Sequence, residues 1–294
     1  MRKGICYLIT ASSNLWQAAH GRFLKLDGHG LIMAIVNATP DSFSDGGRFA
    51  TVDQAVQHAL ACVKDGAHIV DIGGESTRPG AANVTDAEEQ DRVLPVIERL
   101  SRETDALISV DTYRASTARL AIKAGAHIVN DVFGLQKDPD MAKVVAGSGA
   151  GVCIMHTGRE RQKLDDVVAD QFVFLNHSLA IADAADIARD RIVLDPGFGF
   201  AKDVDENVAL MSRFDELAAF RLPMLAGTSR KRFIGALTGQ EEADERDVGT
   251  AATTTILRLA GAVIFRVHNV SMTRDALAVA DAVLDQKKRQ ETRA

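Results

Sequence analysis

A five-residue phrase recurs in this chain and limits what it can fold into. Gly66-Ala67-His68-Ile69-Val70 returns as Gly125-Ala126-His127-Ile128-Val129 and, more loosely, as Gly261-Ala262-Val263-Ile264-Phe265. Each copy follows a stretch of helical periodicity, Val52–Lys64, Ala115–Lys123 or Ala251–Leu259. Glycine at such a point stops a helix, and the β-branched run behind it is a buried strand. Helix, glycine stop and strand make one half of a βα repeat.

Extending the count gives eight candidate strands: Leu31–Thr39, His68–Gly73, Leu107–Thr112, His127–Val132, Gly151–His156, Arg191–Asp195, Pro223–Gly227 and Val263–His268. Helical segments such as Asp165–Ala188 and Glu206–Ala219 lie between most neighbours. Eight strands alternating with helices over about 260 residues predict a single-domain (β/α)8 TIM barrel, for which about 250 residues is typical. A doubly wound open sheet is the alternative, but no Gly-x-Gly-x-x-Gly follows the first strand. No Pro-, Ser- or Gly-rich linker divides the chain.

The barrel makes a register prediction. Five positions beyond each repeat glycine stand Asp71, Asn130 and Arg266, all polar and all ending an apolar run. Side chains alternate along a strand, so Ile69, Ile128 and Ile264 should share the inward face two residues below them. Polar groups at the C-terminal ends of barrel strands form an active-site rim.

Composition narrows the class of function. The 294 residues carry 34 Lys+Arg against 40 Asp+Glu, a net charge of −6, which argues against a general nucleic-acid binder. No run of 18 apolar residues is present, so no membrane-spanning helix is expected. The three cysteines, Cys6, Cys62 and Cys153, lack Cys-x-x-Cys spacing and read as reduced thiols of a cytoplasmic protein, Cys62 and Cys153 as small core residues. The apolar patch Ile5–Ile9 after Arg2-Lys3 is too short for a signal-peptide core.

The strand ends carry the chemistry. Strand 1 runs into Asn37-Ala38-Thr39-Pro40-Asp41-Ser42-Phe43-Ser44-Asp45-Gly46-Gly47, whose Phe43 among small polar residues and paired glycines favour a lid over a plain turn. Strand 2 runs into Asp71-Ile72-Gly73-Gly74-Glu75-Ser76-Thr77-Arg78-Pro79-Gly80, where Arg78 is a fork-shaped anion donor or an incidental charge on a solvated loop. Strands 3, 4 and 6 end at Asp111, Asn130-Asp131 and Asp195-Pro196-Gly197-Phe198-Gly199-Phe200. No acidic or histidine pair at ligand spacing accompanies them, so these acceptors suit a flat heterocycle rich in N–H groups better than a metal cage. Met155, at the end of strand 5, reads equally as core or ring contact. Strand 7 enters Gly227-Thr228-Ser229-Arg230-Lys231-Arg232, an anion-binding combination of cations and helix start. Strand 8 ends in Arg266 and His268 on one face, suited to an oxyanion such as phosphate, with His268 also readable as a proton donor to a leaving group. The remaining histidines His20, His29, His58, His68, His127 and His177 read as structural or solvated.

Taken together, Asn37–Gly47, Asp71–Gly80, Ser109–Thr112, Val129–Val132, Asp195–Phe200, Gly227–Lys231 and Arg266–His268 resemble the pterin-binding enzyme family, and within it the dihydropteroate synthases. The resemblance covers about Gly30 to Leu284. It implies an N-terminal extension and hairpin over residues 1–30, turning at Leu26–Gly30 and closing the barrel bottom, with the pterin-binding barrel over 31–285. It further implies condensation of 6-hydroxymethyl-7,8-dihydropterin diphosphate with 4-aminobenzoate in folate biosynthesis, Mg²⁺ as cofactor, a homodimer, and a target for sulfonamides. Pterin would be held by Asp111, Asn130, Met155, Asp195, Gly227, Lys231 and Arg266. Aminobenzoate would sit among Phe43, Thr77, Pro79, Phe200 and Ser229. Asn37, Arg266 and His268 would take the diphosphate, with Mg²⁺ on Asn37, and Asp45, Arg78 and Lys231 would complete the catalytic set. Departures from the family pattern are Asn269 for Asp, Ala38 for a larger apolar residue, Arg232 for Ser, and His156-Thr157-Gly158-Arg159, which lacks the usual Met and Pro. A corrinoid-dependent methyltransferase shares such a pocket but has no use for a diphosphate site, and a non-catalytic pterin binder has no use for lids.

Overall fold

The computed structural model describes residues 14–26, 28–39, 47–75 and 84–292, with the backbone alone for 47–51. All three repeat glycines have positive φ, 116° at Gly66, 116° at Gly125 and 111° at Gly261, and each turns the chain from helix to strand. The histidines of the first two copies have a structural task. Nδ1 of His68 accepts from Ile32 N at 3.1 Å, and Nδ1 of His127 accepts from Ile108 N at 2.9 Å, so each ring extends the ladder to the preceding strand. Burial lowers the pKa of His68 and, with Arg22 and His20, pushes that of His127 down to about 4, keeping both rings neutral acceptors.

A short antiparallel hairpin, β1 (Leu15–Gln17) and β2 (Phe23–Lys25), precedes the predicted strands. These follow as β3 (Leu31–Asn37), β4 (Ile69–Gly73), β5 (Leu107–Asp111), β6 (Ile128–Asp131), β7 (Gly151–Met155), β8 (Ile192–Asp195), β9 (Leu225–Ala226) and β10 (Ile264–Val267). Their parallel ladder runs β8-β7-β6-β5-β4-β3-β10-β9. The remaining seam is bridged by Leu194 N donating to Pro223 O at 2.9 Å, which makes a nearly closed barrel. Around it lie α1 (Gly47–Asp65), α2 (Asp86–Glu103), α3 (Ala115–Ala124), α4 (Met141–Ser148), α5 (Val167–Ala184), α6 (Val204–Ser212), α7 (Arg232–Thr238), α8 (Asp247–Leu259) and α9 (Val270–Glu291). The segment Glu206–Ala219, expected as one helix, is instead α6 followed by a 3₁₀ helix at Phe214–Phe220. Its three-residue pitch turns Phe214 and Leu217 both into the core.

Strand alternation sorts the apolar side chains into two separate cores. Ile32, Val70, Ile108, Val129, Ile154 and Phe265 face outward beneath the helices. Met33, Ile69, Leu107, Ile128, Val193, Leu225 and Ile264 face inward with Cys153 and form the barrel floor. Ile69, Ile128 and Ile264 thus share one face as their register predicts. Cys62 is buried in the outer core, so both described cysteines are free, packed residues.

The hairpin closes the floor from below. Trp16 is 1% exposed, packs on the inner core, and donates Nε1–H to Arg191 O at 2.9 Å. Its turn lies at Ala18–Arg22, where His20 and Gly21 have φ of 58° and 69°, and not at Leu26–Gly30. Gly30 N donates to Asp281 Oδ2 at 2.9 Å, so that later segment links the hairpin to β3. Three-residue strands are too short for their alternation to stand out in the sequence.

Candidate active site

Above the apolar floor the barrel interior turns polar. Asp71, two residues beyond Ile69 on β4, is fully buried. Its Oδ2 accepts from Arg266 Nε at 2.6 Å and from Asn130 Nδ2 at 3.0 Å. Arg266 Nη2 donates to Asp111 Oδ2 at 2.6 Å. The three polar positions of the register prediction therefore meet, and Arg266 forks between two carboxylates from neighbouring strands. Burial opposes its charge, but Asp71 and Asp111 more than offset that and hold the guanidinium above its usual range. Asp111 is pushed up to about 7, first by burial, with Arg266 opposing and Asp71 adding repulsion. Asp71 Oδ1 is buried without a hydrogen-bond partner among the described residues. Sequence reasoning placed Asp71 in the register but gave it no task; the structure makes it the base on which Arg266 and Asn130 are set.

Across the mouth, Asp195 pairs in register with Met155. Its Oδ1 accepts from Gly197 N at 2.7 Å, and its Oδ2 stands beside Gly227, where a Cβ would lie 3.6 Å away. Burial raises the Asp195 pKa, with the Gly197 amide and Lys231 opposing. Lys231 donates Nζ–H to Phe198 O at 2.7 Å and stands 3.9 Å from the Phe200 ring centroid. Burial pushes the Lys231 pKa down to about 7; Asp195 opposes this and Arg266 and Arg159 reinforce it. Met155 and Phe200 pack with Val132 in a small cluster of their own. Arg159, from the atypical loop after β7, lies 4.6 Å over the same Phe200 ring.

At the rim, Ser229 Oγ accepts from His268 N at 3.1 Å and pairs with His268 Nδ1 at 2.9 Å. Ser229 thus orients the His268 ring through Nδ1. Asn37 is exposed at the end of β3, paired with Gly73. The structure accordingly brings Asp111, Asn130, Met155, Asp195, Gly227, Lys231 and Arg266 to one barrel mouth, with Phe200, Ser229, His268 and Asn37 at its edge. Asp131 faces outward, where its carboxylate takes the amides of Phe133 and Leu135 at 2.9 and 2.8 Å. Phe43, Asp45, Thr77, Arg78 and Pro79 lie outside the described residues.

A second buried network underlies the Asp195 loop and went unnoticed in the sequence. Lys202 Nζ contacts Gly197 O and His156 Nδ1, each at 2.9 Å. His156 Nε2 meets Asp170 Oδ2 at 2.9 Å, and Arg161 donates to both Asp170 oxygens. Burial pushes Lys202 down to about 7 and His156 down to about 4. The loop sits so close that a Cβ on Gly197 (φ 64°) would lie 1.9 Å from His156 O. Only glycine can pass there.

This mouth offers carboxylate and carboxamide acceptors below, two cations beside them and a rim histidine, an arrangement suited to a flat N–H-rich ring with an anionic arm. The profile of the pterin binding enzyme family matches residues 33–268, most of the chain. The chain belongs to the pterin-binding enzyme family. The dihydropteroate synthase of Bacillus subtilis (strain 168) is 46% identical over 255 residues, 87% of this chain and 89% of that protein. Among solved structures, the Xanthomonas albilineans dihydropteroate synthase with 4-aminobenzoic acid superposes with a TM-score of 0.88 at 44% identity, covering 92% of this chain and 98% of that one. The same enzyme in complex with 7,8-dihydropteroate gives 0.83 at 42% identity, with 91% and 98% covered. The family's barrel and this chain's barrel are one architecture.

Proposed function

We infer that the chain joins 6-hydroxymethyl-7,8-dihydropterin diphosphate to 4-aminobenzoate, giving 7,8-dihydropteroate and diphosphate. It is a transferase of folate biosynthesis, and the observation that carries the site assignment is the buried acceptor set Asp111, Asn130 and Asp195 beside Lys231 and Arg266. The acceptors take the N–H edge of the pterin, Met155 lies against the ring, and Gly227 leaves room for it. The C–O bond between the pterin methylene and the diphosphate breaks, both electrons leaving with the diphosphate. The aminobenzoate nitrogen then bonds to the methylene carbon and releases its proton to solvent. Arg266 and His268 stabilise the departing anion. Phe200 frames the aminobenzoate. On the resemblance alone, Phe43, Thr77 and Pro79 share that task, and Asp45 and Arg78 serve the reacting end.

Mg²⁺ enters this proposal with the diphosphate, as part of the substrate. Among the described residues no three His, Cys, Asp or Glu side chains gather as a cage, and Asp71 and Asp111 are engaged by Arg266. The exposed Asn37 carboxamide is a neutral oxygen donor that suits a hard cation completed by phosphate oxygens and water. Bound there, the ion would neutralise charge on the leaving diphosphate.

The functional unit in this proposal is a cytoplasmic homodimer. Val248 and Ile256 on α8 and Val279 and Val283 on α9 are 73%, 50%, 65% and 42% exposed. Val279 and Val283 stand one turn apart on a single face of α9, and α8 packs against α9, so in this proposal a second copy covers the exposed apolar side chains of the two helices. Val279→Asp should yield monomers by light scattering; an unchanged mass overturns that interface. Among the described residues no helix is long and apolar enough to cross a membrane. The activity itself is tested by following diphosphate release with both substrates present. Release dependent on 4-aminobenzoate supports the reading, and release no greater than a blank overturns it.

A further inference from the structure

The loop after β9 and the end of β10 together carry four residues of the candidate site: Ser229 and Lys231 on the first, Arg266 and His268 on the second. Between Ser229 and Lys231 stands Arg230, whose φ of 59° lies in the left-handed region that an arginine enters only when its surroundings hold it there. Both the backbone and the guanidinium of Arg230 are held. Its N–H donates to Thr250 Oγ1 at 3.1 Å, and its carbonyl accepts from Arg246 Nη1 at 3.0 Å. Its Nε and Nη2 fork onto the two oxygens of Asp247 at 2.7 and 2.9 Å. Asp247 Oδ2 also accepts Asn269 Nδ2 at 2.9 Å, while Asn269 Oδ1 accepts Met272 N at 3.1 Å and caps α9. Burial works against the Asp247 charge, yet Arg230 and Asn269 hold its carboxyl below the usual range.

We propose that Asp247, at the start of α8, is a positioning residue of the site: it clamps Arg230 in its left-handed turn and, through Asn269, ties the Ser229–Lys231 loop to the end of β10. No motif marks it, and no residue of the mouth is hydrogen-bonded to it, although the His268 ring adds a favourable charge interaction with its carboxylate. Its effect passes through Arg230 to Ser229 and Lys231, and through Asn269 to the neighbouring His268. The clamp also accounts for asparagine at 269. An aspartate there would still cap α9, but it would set a carboxylate against the Asp247 carboxylate where a donor now stands. The proposal rests on the functional reading above for its kinetic consequences and on geometry alone for the loop's rigidity.

The test uses the full-length chain and the exchange variants Asp247→Asn, Asn269→Asp and the double swap. Each single change should raise the KM for 4-aminobenzoate about tenfold, as expected for losing a charge-assisted contact, with a smaller change in kcat. The double swap restores one carboxylate and one carboxamide in contact and should recover part of the loss, because the fork to Arg230 keeps one acceptor in place of two. Hydrogen exchange supplies a readout independent of activity: the Ser229–Lys231 amides should exchange faster in either single variant and slow again in the swap. If a single variant folds poorly, Arg230→Gly removes the strained backbone, and adding Asp247→Asn to it should change exchange less than twofold. Unchanged KM and exchange in folded single variants, a swap no better than its parents, or additive effects on the Arg230→Gly background would overturn the clamp. A wild-type chain that makes no dihydropteroate would refute the functional reading while leaving the exchange prediction standing.

Discussion

Asp195→Asn isolates the acceptor chemistry of the pocket, because the substitution keeps the shape and trades one oxygen for a donor. Asp195 is 4% exposed and uses Oδ1 to accept from Gly197 N at 2.7 Å. An asparagine has two ways to sit. With its oxygen toward Gly197, the NH₂ replaces Oδ2 and faces the N–H edge of the pterin, donor against donor. Flipped, it offers an acceptor to the ligand but sets its NH₂ against the Gly197 amide. Each arrangement loses a hydrogen bond to a charged acceptor and leaves a buried donor unpaired, about 1–3 kcal/mol for each effect. The sum is about 2–6 kcal/mol, or about thirtyfold or more in pterin affinity. Isothermal titration with 6-hydroxymethylpterin measures it, and a thermal melt confirms that the barrel is intact. A variant that folds normally and binds pterin within threefold of the parent refutes the acceptor role.

The pH dependence has a defined sign on each side. Asp111, raised to about 7, stops accepting as pH falls through that value, and Lys231, lowered to about 7, loses its charge as pH rises through it; kcat/KM for the pterin diphosphate should therefore peak near neutrality, and Lys231→Met should remove the alkaline limb, whereas a flat profile from pH 6 to 8 contradicts both. His127, at 6.5 when unfolded and about 4 when folded, contributes stability above pH 6.5 that is lost as pH falls toward 4. Thermal melts should show that loss, and His127→Gln should flatten it at the expense of stability at neutral pH. Lys202→Met breaks the bonds to Gly197 O and His156 Nδ1 and should weaken pterin binding about tenfold by freeing the Asp195 loop, with unchanged affinity the contrary result. Gly197→Ala, blocked by His156 O, should lower the melting temperature; an unaltered melt would contradict that contact.

The barrel was legible because its punctuation repeats. One phrase fixes helix end, strand start and inward register together, so Ile69, Ile128 and Ile264 on the floor and Asp71, Asn130 and Arg266 above them follow from a single alternation. The individual pocket residues were nameable from the family resemblance, and the donor and acceptor types alone pointed no further than an N–H-rich ring with an anion. What stayed hidden depends on contacts between distant segments. Lys202 meets His156 across 46 positions, and Asp247 meets Arg230 across 17 and Asn269 across 22. No periodicity marks such pairs, and a lysine after Gly-Phe-Gly-Phe reads as solvated until the fold buries it. The hairpin turn was misplaced for the opposite reason: Leu26-Asp27-Gly28-His29-Gly30 has turn composition, while the real turn at Ala18–Arg22 depends on His20 adopting a left-handed backbone.

The central claim is that one barrel mouth holds the pterin by Asp111, Asn130, Asp195 and Lys231 and its anionic arm by Arg266, His268 and Asn37. A crystal structure with the pterin diphosphate bound tests it most directly. The account predicts the ring's N–H edge on the three acceptors, beneath Phe200, with the phosphates at the rim beside His268. A ring bound anywhere else, or turned so that its donors face Lys231 and Arg266, would contradict it.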